Sequence, residues 1–312
     1  MKVLITDHVH ELLIEKLKIA GYQVDYLPEI GIDEVKSIVH DYHVVVINTK
    51  TPFCRDMIER AGSLRLIVRL GSGLEIIDID YADQKGIIVK NTPEGNRQSV
   101  AEHALGMLLA LLNNIVKSNI EIRQFNRKRE ENRGNELTGK TLGIIGFGNT
   151  GSCFARILAG FDINILVYDK YKQRFADNYR NVIETDMNEI FEKCDILSFH
   201  IPLTDETVYL GDMNFYRKFR KDIFLINTSR GKVLDTKDLI MALRSGKIKG
   251  AALDVLENEN PLSYSEEEKL LYKELFSFEN VIITPHIAGW TYESKEKIAE
   301  LTYKRIIQYS GI

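Results

Sequence analysis

Leu142-Gly143-Ile144-Ile145-Gly146-Phe147-Gly148-Asn149-Thr150-Gly151 is the stretch on which the reading of this chain turns. A short apolar run enters three glycines spaced Gly-x-Gly-x-x-Gly, and an apolar helical pattern, Cys153 to Ala159, follows. Gly146 permits a tight turn. Gly148 lets the backbone approach a pyrophosphate, and Gly151 lets the helix pack closely on the strand. A helix that starts there offers unpaired N–H groups and the positive end of its dipole to phosphates. Asp169 ends the next apolar run, Leu166-Val167-Tyr168-Asp169, about 20 residues beyond the glycines, where such folds place an acidic residue. A carboxylate there accepts hydrogen bonds from both ribose hydroxyls and repels a 2′-phosphate. Strand, glycines and spacing together outweigh the alternative of a strand-end aspartate that only caps a turn. NAD rather than NADP is the expected cofactor.

Outward from this motif, short β-branched runs alternate with helical patterns, as parallel sheets with helices on both faces require. C-terminal to the glycines the expected strands are Asn164–Tyr168, Ile196–Phe199, Phe224–Asn227, Ala251–Ala252 and Val281–Thr284, with a helix over Thr236–Ser245. N-terminal to them lie Val3–Ile5, Gln23–Tyr26, Val44–Ile47, Leu66–Val68 and Ile87–Val89, with helices over Val9–Ala20 and Asp33–Val39. Ser99 to Val116 reads as a helix opened by a Ser99-x-x-Glu102 capping box. The charged stretch Glu121 to Glu136 reads as an exposed connection between domains or protomers, and Thr291 to Tyr309 as a last helix packing back onto the N-terminal part. The predicted fold class is α/β, with two doubly wound parallel-sheet domains.

Three further motifs fall where strands of the second series end, the rim on which doubly wound folds bind ligands. They are Asn227-Thr228-Ser229-Arg230-Gly231, then Leu253-Asp254-Val255-Leu256-Glu257-Asn258-Glu259-Asn260-Pro261, then Thr284-Pro285-His286-Ile287-Ala288-Gly289. A cation, carboxylates and an imidazole are the set needed to reduce a 2-keto acid. The cation holds the substrate carboxylate and polarises the ketone, the imidazole delivers a proton, and a carboxylate orients the imidazole.

With these motifs the chain resembles the D-isomer-specific 2-hydroxyacid dehydrogenase family over nearly its whole length. The resemblance also includes Gln98-Ser99-Val100-Ala101-Glu102-His103-Ala104 and His200-Ile201-Pro202-Leu203-Thr204-Asp205-Glu206-Thr207. It implies that Arg230, Glu259 and His286 are the catalytic set. Asn149 and Thr150 would lie against the pyrophosphate, and His200, Pro202 and Thr207 would line the adenosine side. Thr228, Ser229, Arg230, Asp254, His286 and Gly289 would approach the rest of the cofactor. Arg69-Leu70-Gly71-Ser72-Gly73 resembles the substrate loop, whose N–H groups at Ser72 and Gly73 would bind a carboxylate. Lys50 would stand on a loop reaching the far end of the substrate, which makes 3-phosphoglycerate a candidate substrate. The implied layout is a Rossmann NAD-binding domain, residues 95–286, inserted in a flavodoxin-like substrate domain, residues 1–94 and 287–312. A homodimer built through the nucleotide domain is also implied.

Two departures from the family pattern stand out. Asn260 separates Glu259 from Pro261, which leaves Glu257 and Glu259 as rival carboxylates, with the count from Asp254 favouring Glu259. The substrate loop reads Gly71-Ser72-Gly73-Leu74-Glu75 where the family more often has Gly-Val-Gly-x-Asp. Substrate identity is therefore open.

Bulk properties agree with this reading. The 312 residues exceed one comfortable core, so two domains are expected. The net charge of −4, from 41 basic and 45 acidic side chains, favours neither nucleic acid nor an anionic membrane surface. Cys54, Cys153 and Cys194 form no ligand pattern and read as reduced, mostly buried thiols, and the His8/His10 and His40/His43 pairs lack a carboxylate or cysteine cluster, so no metal is expected. Trp290 reads as a packing residue. The longest apolar run, Ala104 to Leu112, falls well short of the about 20 residues a membrane span needs. The start of the chain lacks the apolar stretch of a signal peptide, and a cytoplasmic location is expected. The rival to an enzyme is a non-enzymatic, NAD-dependent corepressor-like binding protein. An intact Arg/Glu/His set argues for the enzyme.

Overall fold

The computed structural model describes residues 1–177, 179 and 181–309. Residues 310–312 of the expected tail domain lie outside them. The chain divides into two compact units, one made of Met1–Arg97 with the tail from Trp290, the other of Gln98–Gly289. These divisions fall three residues beyond those read from sequence (97 against 94, 289 against 286).

The first unit holds five parallel strands, β1 (Lys2–Ile5), β2 (Gln23–Tyr26), β3 (Val44–Ile47), β4 (Leu66–Arg69) and β5 (Ile88–Asn91). Their order is β2-β1-β3-β4-β5, the flavodoxin-like arrangement. Alternation along each strand sends side chains to opposite faces. Val3, Ile5, Val44, Val46, Leu66 and Val68 join one core, whereas Leu4, Val45, Ile47 and Ile67 join the other. Because both faces are covered, β3 is a continuous apolar run buried at every position. The tail helix, Tyr292–Tyr309, supplies Ala299 and Ile306 to the first core, beside Leu13 and Leu17 of the helix Glu11–Ile19. A Lys16–Glu300 ion pair and Arg305 donating to Glu94 at 2.9 Å fasten its polar side.

The second unit holds seven parallel strands, β6 (Thr141–Ile145), β7 (Asn164–Tyr168), β8 (Val182–Glu184), β9 (Ile196–Phe199), β10 (Ile223–Asn227), β11 (Ile248–Leu253) and β12 (Val281–Ile283). Their order is β12-β11-β10-β9-β6-β7-β8. Counted from β6, this is the Rossmann order 3-2-1-4-5-6 with a seventh strand added, and strand order reverses between β6 and β9. The alternation recurs. Leu142, Ile144, Ile165, Val167, Ile196 and Ile226 face the core with the helix Arg97–Leu112, and Ile145, Leu166, Leu197, Phe199 and Leu225 face the other.

Four expectations are corrected. Ser99 does not cap a helix. The helix begins at Arg97, and the Ser99 hydroxyl donates to the Ala288 carbonyl at 2.5 Å, while Glu102 accepts from Gln98. That helix ends at Leu112 because Asn114 adopts a left-handed φ of 51°, and a second helix, Ile115–Arg123, leaves at 60°. The charged stretch Glu121 to Glu136 lies inside the second unit. Glu121 is buried there and bonded by Asn132 and Lys128. The sequence pattern also does not signal β8, a three-residue, half-exposed edge strand. Trp290 is 59% exposed and lies under the Lys295 ammonium, so it is not a core residue. Among the described residues no single helix is long and apolar enough to cross a membrane.

Ile306 is completely buried at the junction of the tail with the first sheet. Ile306→Ala should therefore destabilise this unit by roughly 2–4 kcal/mol. Chemical denaturation monitored by circular dichroism checks this, and a loss below about 0.5 kcal/mol would mean the tail is not part of this core.

Candidate active site

One row of paired residues organises the second unit. Tyr168, Ile145, Phe199, Asn227, Leu253 and Ile283 are aligned partners across six adjacent parallel strands. The next residue on each strand is Asp169, Gly146, His200, Thr228, Asp254 or Thr284. The glycine motif, Asp169, His200 and the three strand-end motifs picked out by sequence therefore leave the sheet from the same edge, with neighbouring strands about 4.8 Å apart.

The glycine turn has the shape the motif requires. Gly146 has φ 93°, and a Cβ on it would lie 2.4 Å from the His200 carbonyl oxygen. A Cβ on Gly151 would lie 2.1 Å from the Gly146 carbonyl oxygen, so the helix Asn149–Ile157 cannot pack this closely with any other residue there. A Cβ on Gly148 would meet nothing within 4 Å, and this open side carries the first turn of the helix, with Asn149 and Thr150. The leading N–H groups of a helix have no partner within it.

Asp169 is fixed against this turn. One carboxylate oxygen accepts from the Phe147 N–H at 2.7 Å, the other from the Tyr171 and Lys172 N–H groups at 3.0 and 3.1 Å. The nearby cations are engaged. Lys172 donates to the Phe147 carbonyl at 2.7 Å, and Lys170 pairs with Glu206 at 2.5 Å.

Several expected cofactor residues hold the edge together. Ser229 donates to the Phe199 carbonyl at 2.6 Å and accepts from the Ile201 N–H at 3.3 Å, tying the ends of β9 and β10. Thr207 donates to the Pro202 carbonyl at 2.7 Å and accepts from the Thr204 N–H at 2.8 Å, closing the loop after β9. His200 is buried against Phe154, with Nε2 2.9 Å from the Ser198 hydroxyl, and burial pushes its pKa down to about 3. It is a neutral packing imidazole. Its Nδ1 and the Thr228 hydroxyl oxygen are both buried with no hydrogen-bond partner in the protein. An orphaned buried hydroxyl needs an outside partner. With the open face of Gly148 and the fixed Asp169 carboxylate, the residues present fit a dinucleotide.

The chemistry-bearing groups lie on the strands at the far side of this row. Arg230 follows β10 and donates to the Ser229 carbonyl at 2.7 Å. A Cβ on Gly231 would lie 1.9 Å from the Leu256 carbonyl oxygen, so this glycine seats the arginine's segment directly on the backbone after β11. Asp254 is buried. One of its oxygens accepts from the Thr284 hydroxyl at 2.6 Å and the Ile287 N–H at 2.9 Å, and the other from the Ala288 N–H at 2.9 Å. It therefore anchors the loop that carries His286 and ends at Gly289, the last residue of this unit. His286 has a left-handed φ of 53°, a conformation costing of order 1–3 kcal/mol. Its N–H donates to the Asp254 and Thr284 carbonyls at 2.8 and 3.0 Å.

The rival glutamates separate cleanly. His286 Nδ1 is 2.8 Å from a Glu259 oxygen, and the two side chains are 46% and 43% exposed. Glu257 instead accepts from the Thr236 N–H at 2.8 Å and from the Tyr209 hydroxyl, a bond that raises the Tyr209 pKa. A carboxylate only accepts, so Glu259 places the proton of a neutral ring on Nδ1 and leaves Nε2 open.

Lys50, Ser72 and Gly73 belong to the first unit. Lys50 donates to the Pro28 carbonyl. The Ser72 carbonyl accepts from Asn91 at 2.6 Å, and Gly71, at φ 96°, exchanges hydrogen bonds with Thr92 at 2.9 Å. Sequence reading assigned no role to His103 and Thr284. His103 Nε2 is 3.0 Å from the Thr284 hydroxyl and 3.5 Å from Asp254. Their signal was proximity in sequence to assigned residues.

A doubly wound dinucleotide unit with arginine, glutamate and histidine on one strand-end edge has the parts of a nicotinamide-dependent oxidoreductase. Comparison with known proteins narrows the class. Residues 105–288 match the family model described as D-isomer specific 2-hydroxyacid dehydrogenase, NAD binding domain. The chain is 34% identical over 307 residues to D-3-phosphoglycerate dehydrogenase of Methanocaldococcus jannaschii, covering 98% of this chain and 57% of that one. It is 34% identical over 280 residues to hydroxypyruvate reductase of Thermotoga maritima, covering 90% and 89%. D-Lactate dehydrogenase of Aquifex aeolicus, solved with NAD and lactic acid, superposes with a TM-score of 0.85 at 29% identity, covering 99% and 95%. The chain belongs to the D-isomer-specific 2-hydroxyacid dehydrogenase family.

Burial of His200 makes stability depend on pH. An unfolded chain protonates histidine near pH 6.5, whereas the folded state keeps His200 neutral down to about pH 3. Between those values stability falls as pH falls, by roughly 1.4 kcal/mol per unit from this one group. His200→Gln, which cannot titrate, should flatten the acid limb by about that slope. Urea denaturation at pH 7, 6 and 5 measures it, and equal slopes in both proteins would refute a neutral buried ring.

Proposed function

We propose that this protein reduces a small 2-keto acid to its D-2-hydroxy acid and catalyses the reverse oxidation, with residues 98–289 as its NAD domain and the remainder as its substrate domain. The observation that carries this reading is the Glu259–His286 pair, 2.8 Å apart, on the same strand-end edge as the dinucleotide turn. NAD, when bound, supplies the hydride in one direction and takes it in the other. Gly146, Gly148, Asn149, Thr150 and Gly151 would hold the pyrophosphate, Asp169 the ribose hydroxyls, and the unpartnered Thr228 hydroxyl an acceptor or donor nearer the reacting end. Arg230 would clamp the substrate carboxylate with its planar fork and polarise the ketone oxygen. In reduction the imidazolium form of His286, protonated on both nitrogens, would give its Nε2 proton to that oxygen as charge develops on it, leaving the neutral ring with its proton on Nδ1, and in oxidation the neutral ring's Nε2 would take the proton back. Glu259 fixes the ring orientation and stabilises the imidazolium formed in the oxidative direction.

The names of the relatives support 2-hydroxy acids as the substrate class. Backbone N–H groups at Ser72 and Gly73 would take the carboxylate, and Lys50 would meet a distal anionic group such as the phosphate of 3-phosphoglycerate. A homodimer is supported by an exposed apolar stripe within the NAD domain, at Ile115, Ile120, Ile122 and Phe125. Three unpaired cysteines agree with a reducing, cytoplasmic setting.

The test is turnover of NADH with pyruvate, glyoxylate, hydroxypyruvate and phosphohydroxypyruvate. His286→Asn should lower kcat/KM on the order of 10²–10⁴-fold. Glu259→Gln should be strongly impaired and Glu257→Gln near wild type in kcat. If His286→Asn keeps near-full activity, the assignment is wrong. Asp169 makes a second prediction. NADH should be preferred over NADPH by kcat/KM, and Asp169→Ala should erode the preference. Equal use of both cofactors by the wild-type protein would sink it.

A further inference from the structure

We infer that His103 is a positioning residue for the reaction, acting on His286 through Thr284 and Asp254. The inference rests on the function proposed above. The direction of the hydrogen bonds is fixed by chemistry. Thr284 Oγ1 lies 2.6 Å from an Asp254 oxygen, and a carboxylate can only accept, so the single hydroxyl proton of Thr284 points at Asp254. The Met107 sulfur, 3.7 Å from the same hydroxyl, is a weak acceptor and does not compete. With its proton committed, Thr284 can only accept from His103, whose Nε2 lies 3.0 Å away. His103 therefore carries a proton on Nε2, and a one-way chain runs from His103 to Thr284 to Asp254.

The end of this chain is the backbone that bears His286. Thr284 is two residues before it. Asp254 takes the N–H groups of the two residues after it through its side chain and the N–H of His286 itself through its carbonyl. A non-glycine residue holds a left-handed conformation only where its surroundings over-determine it. These bonds are the surroundings. His103 comes from a different element, the helix Arg97–Leu112, so it ties the loop to that helix rather than to the strands. Its ring is 22% exposed, and its Nε2 faces Thr284 and Asp254.

His103→Leu removes the donor and keeps bulk, whereas His103→Gln places an amide N–H near the position of Nε2. His103→Leu should lower kcat with the best 2-keto acid on the order of tenfold to a hundredfold, the size of effect a small misplacement produces. The KM for the keto acid should stay within about threefold, since the proposed effect of His103 is on the placement of His286 and not on binding. His103→Gln should recover most of kcat. The second readout needs no turnover. Carbethoxylation of His286 by diethylpyrocarbonate, followed by peptide mass spectrometry, should be faster in His103→Leu than in wild type and in His103→Gln. Thermal denaturation of both variants accompanies these assays. If both variants lose kcat equally and in step with their melting temperatures, His103 is a packing residue and the inference fails. Unchanged His286 reactivity and kcat in His103→Leu would also overturn it. Absence of 2-keto acid turnover in the wild-type protein would instead overturn the function, and the carbethoxylation ratio would still test the chain of hydrogen bonds.

Discussion

The register of one parallel sheet governs this protein. Parallel strands joined by right-handed crossovers must all end on the same edge, and here six of them end in a single aligned row. A one-residue slip of any strand would turn its side chains to the other face. It would also move Asp169, Thr228 or Asp254 one step along the strand. The two apolar cores on either side of the sheet forbid such a slip, since Ile144 and Ile145, or Leu166 and Val167, already point to opposite cores. Packing of ordinary aliphatic residues thus fixes the relative positions of groups whose sequence separation exceeds a hundred residues.

The glycines convert that row into a site. Gly146 and Gly151 work by close approach, one to His200 and the other to Gly146 itself. Gly231 does the same between the ends of β10 and β11. Each lets two backbone segments touch where any side chain would hold them apart. Gly148 is the exception, as a side chain there would meet open space. Its value lies in leaving that space clear.

Much of this was legible in the sequence because it depends on local chemistry. The glycine spacing, the aspartate after β7 and the alternation of apolar runs are each written in a few consecutive residues. Both sheets were expected, and most strand limits agree with the structure to within a residue or two. What was hidden depends on distant partners. Gly250 and Lys249 break the apolar pattern of β11, and only the approach of the Asn280 carbonyl, 2.8 Å from a Cβ at position 250, explains the glycine. Ser99 and Glu102 have the spacing of a capping box, yet Ser99 bonds to a carbonyl 189 residues away. The assignment of Glu259 over Glu257 needed the fold as well. Sequence left both as rivals, with the count from Asp254 favouring Glu259, and the Thr236 N–H and the Tyr209 hydroxyl show where Glu257 is spent.

Burial then divides the polar residues by task. Asp254, Ser229 and His200 are buried, and a buried polar group left unpaired costs stability, so Asp254 and Ser229 are tied to backbone and Nε2 of His200 to a hydroxyl. Groups so committed cannot exchange partners during a reaction without that cost. His286 and Glu259 are nearly half exposed and share one bond, which leaves Nε2 and the second carboxylate oxygen of Glu259 able to meet other partners. A proton donor needs that freedom at one atom and rigidity everywhere else. The left-handed backbone of His286 supplies the rigidity, because it exists only while Asp254 holds the N–H groups of residues 286 to 288. A mobile loop would relax to an unstrained conformation and carry the ring away from Glu259. The strained turn and the buried carboxylate are therefore one device, and the half-exposed pair is the part of it that is left to do chemistry.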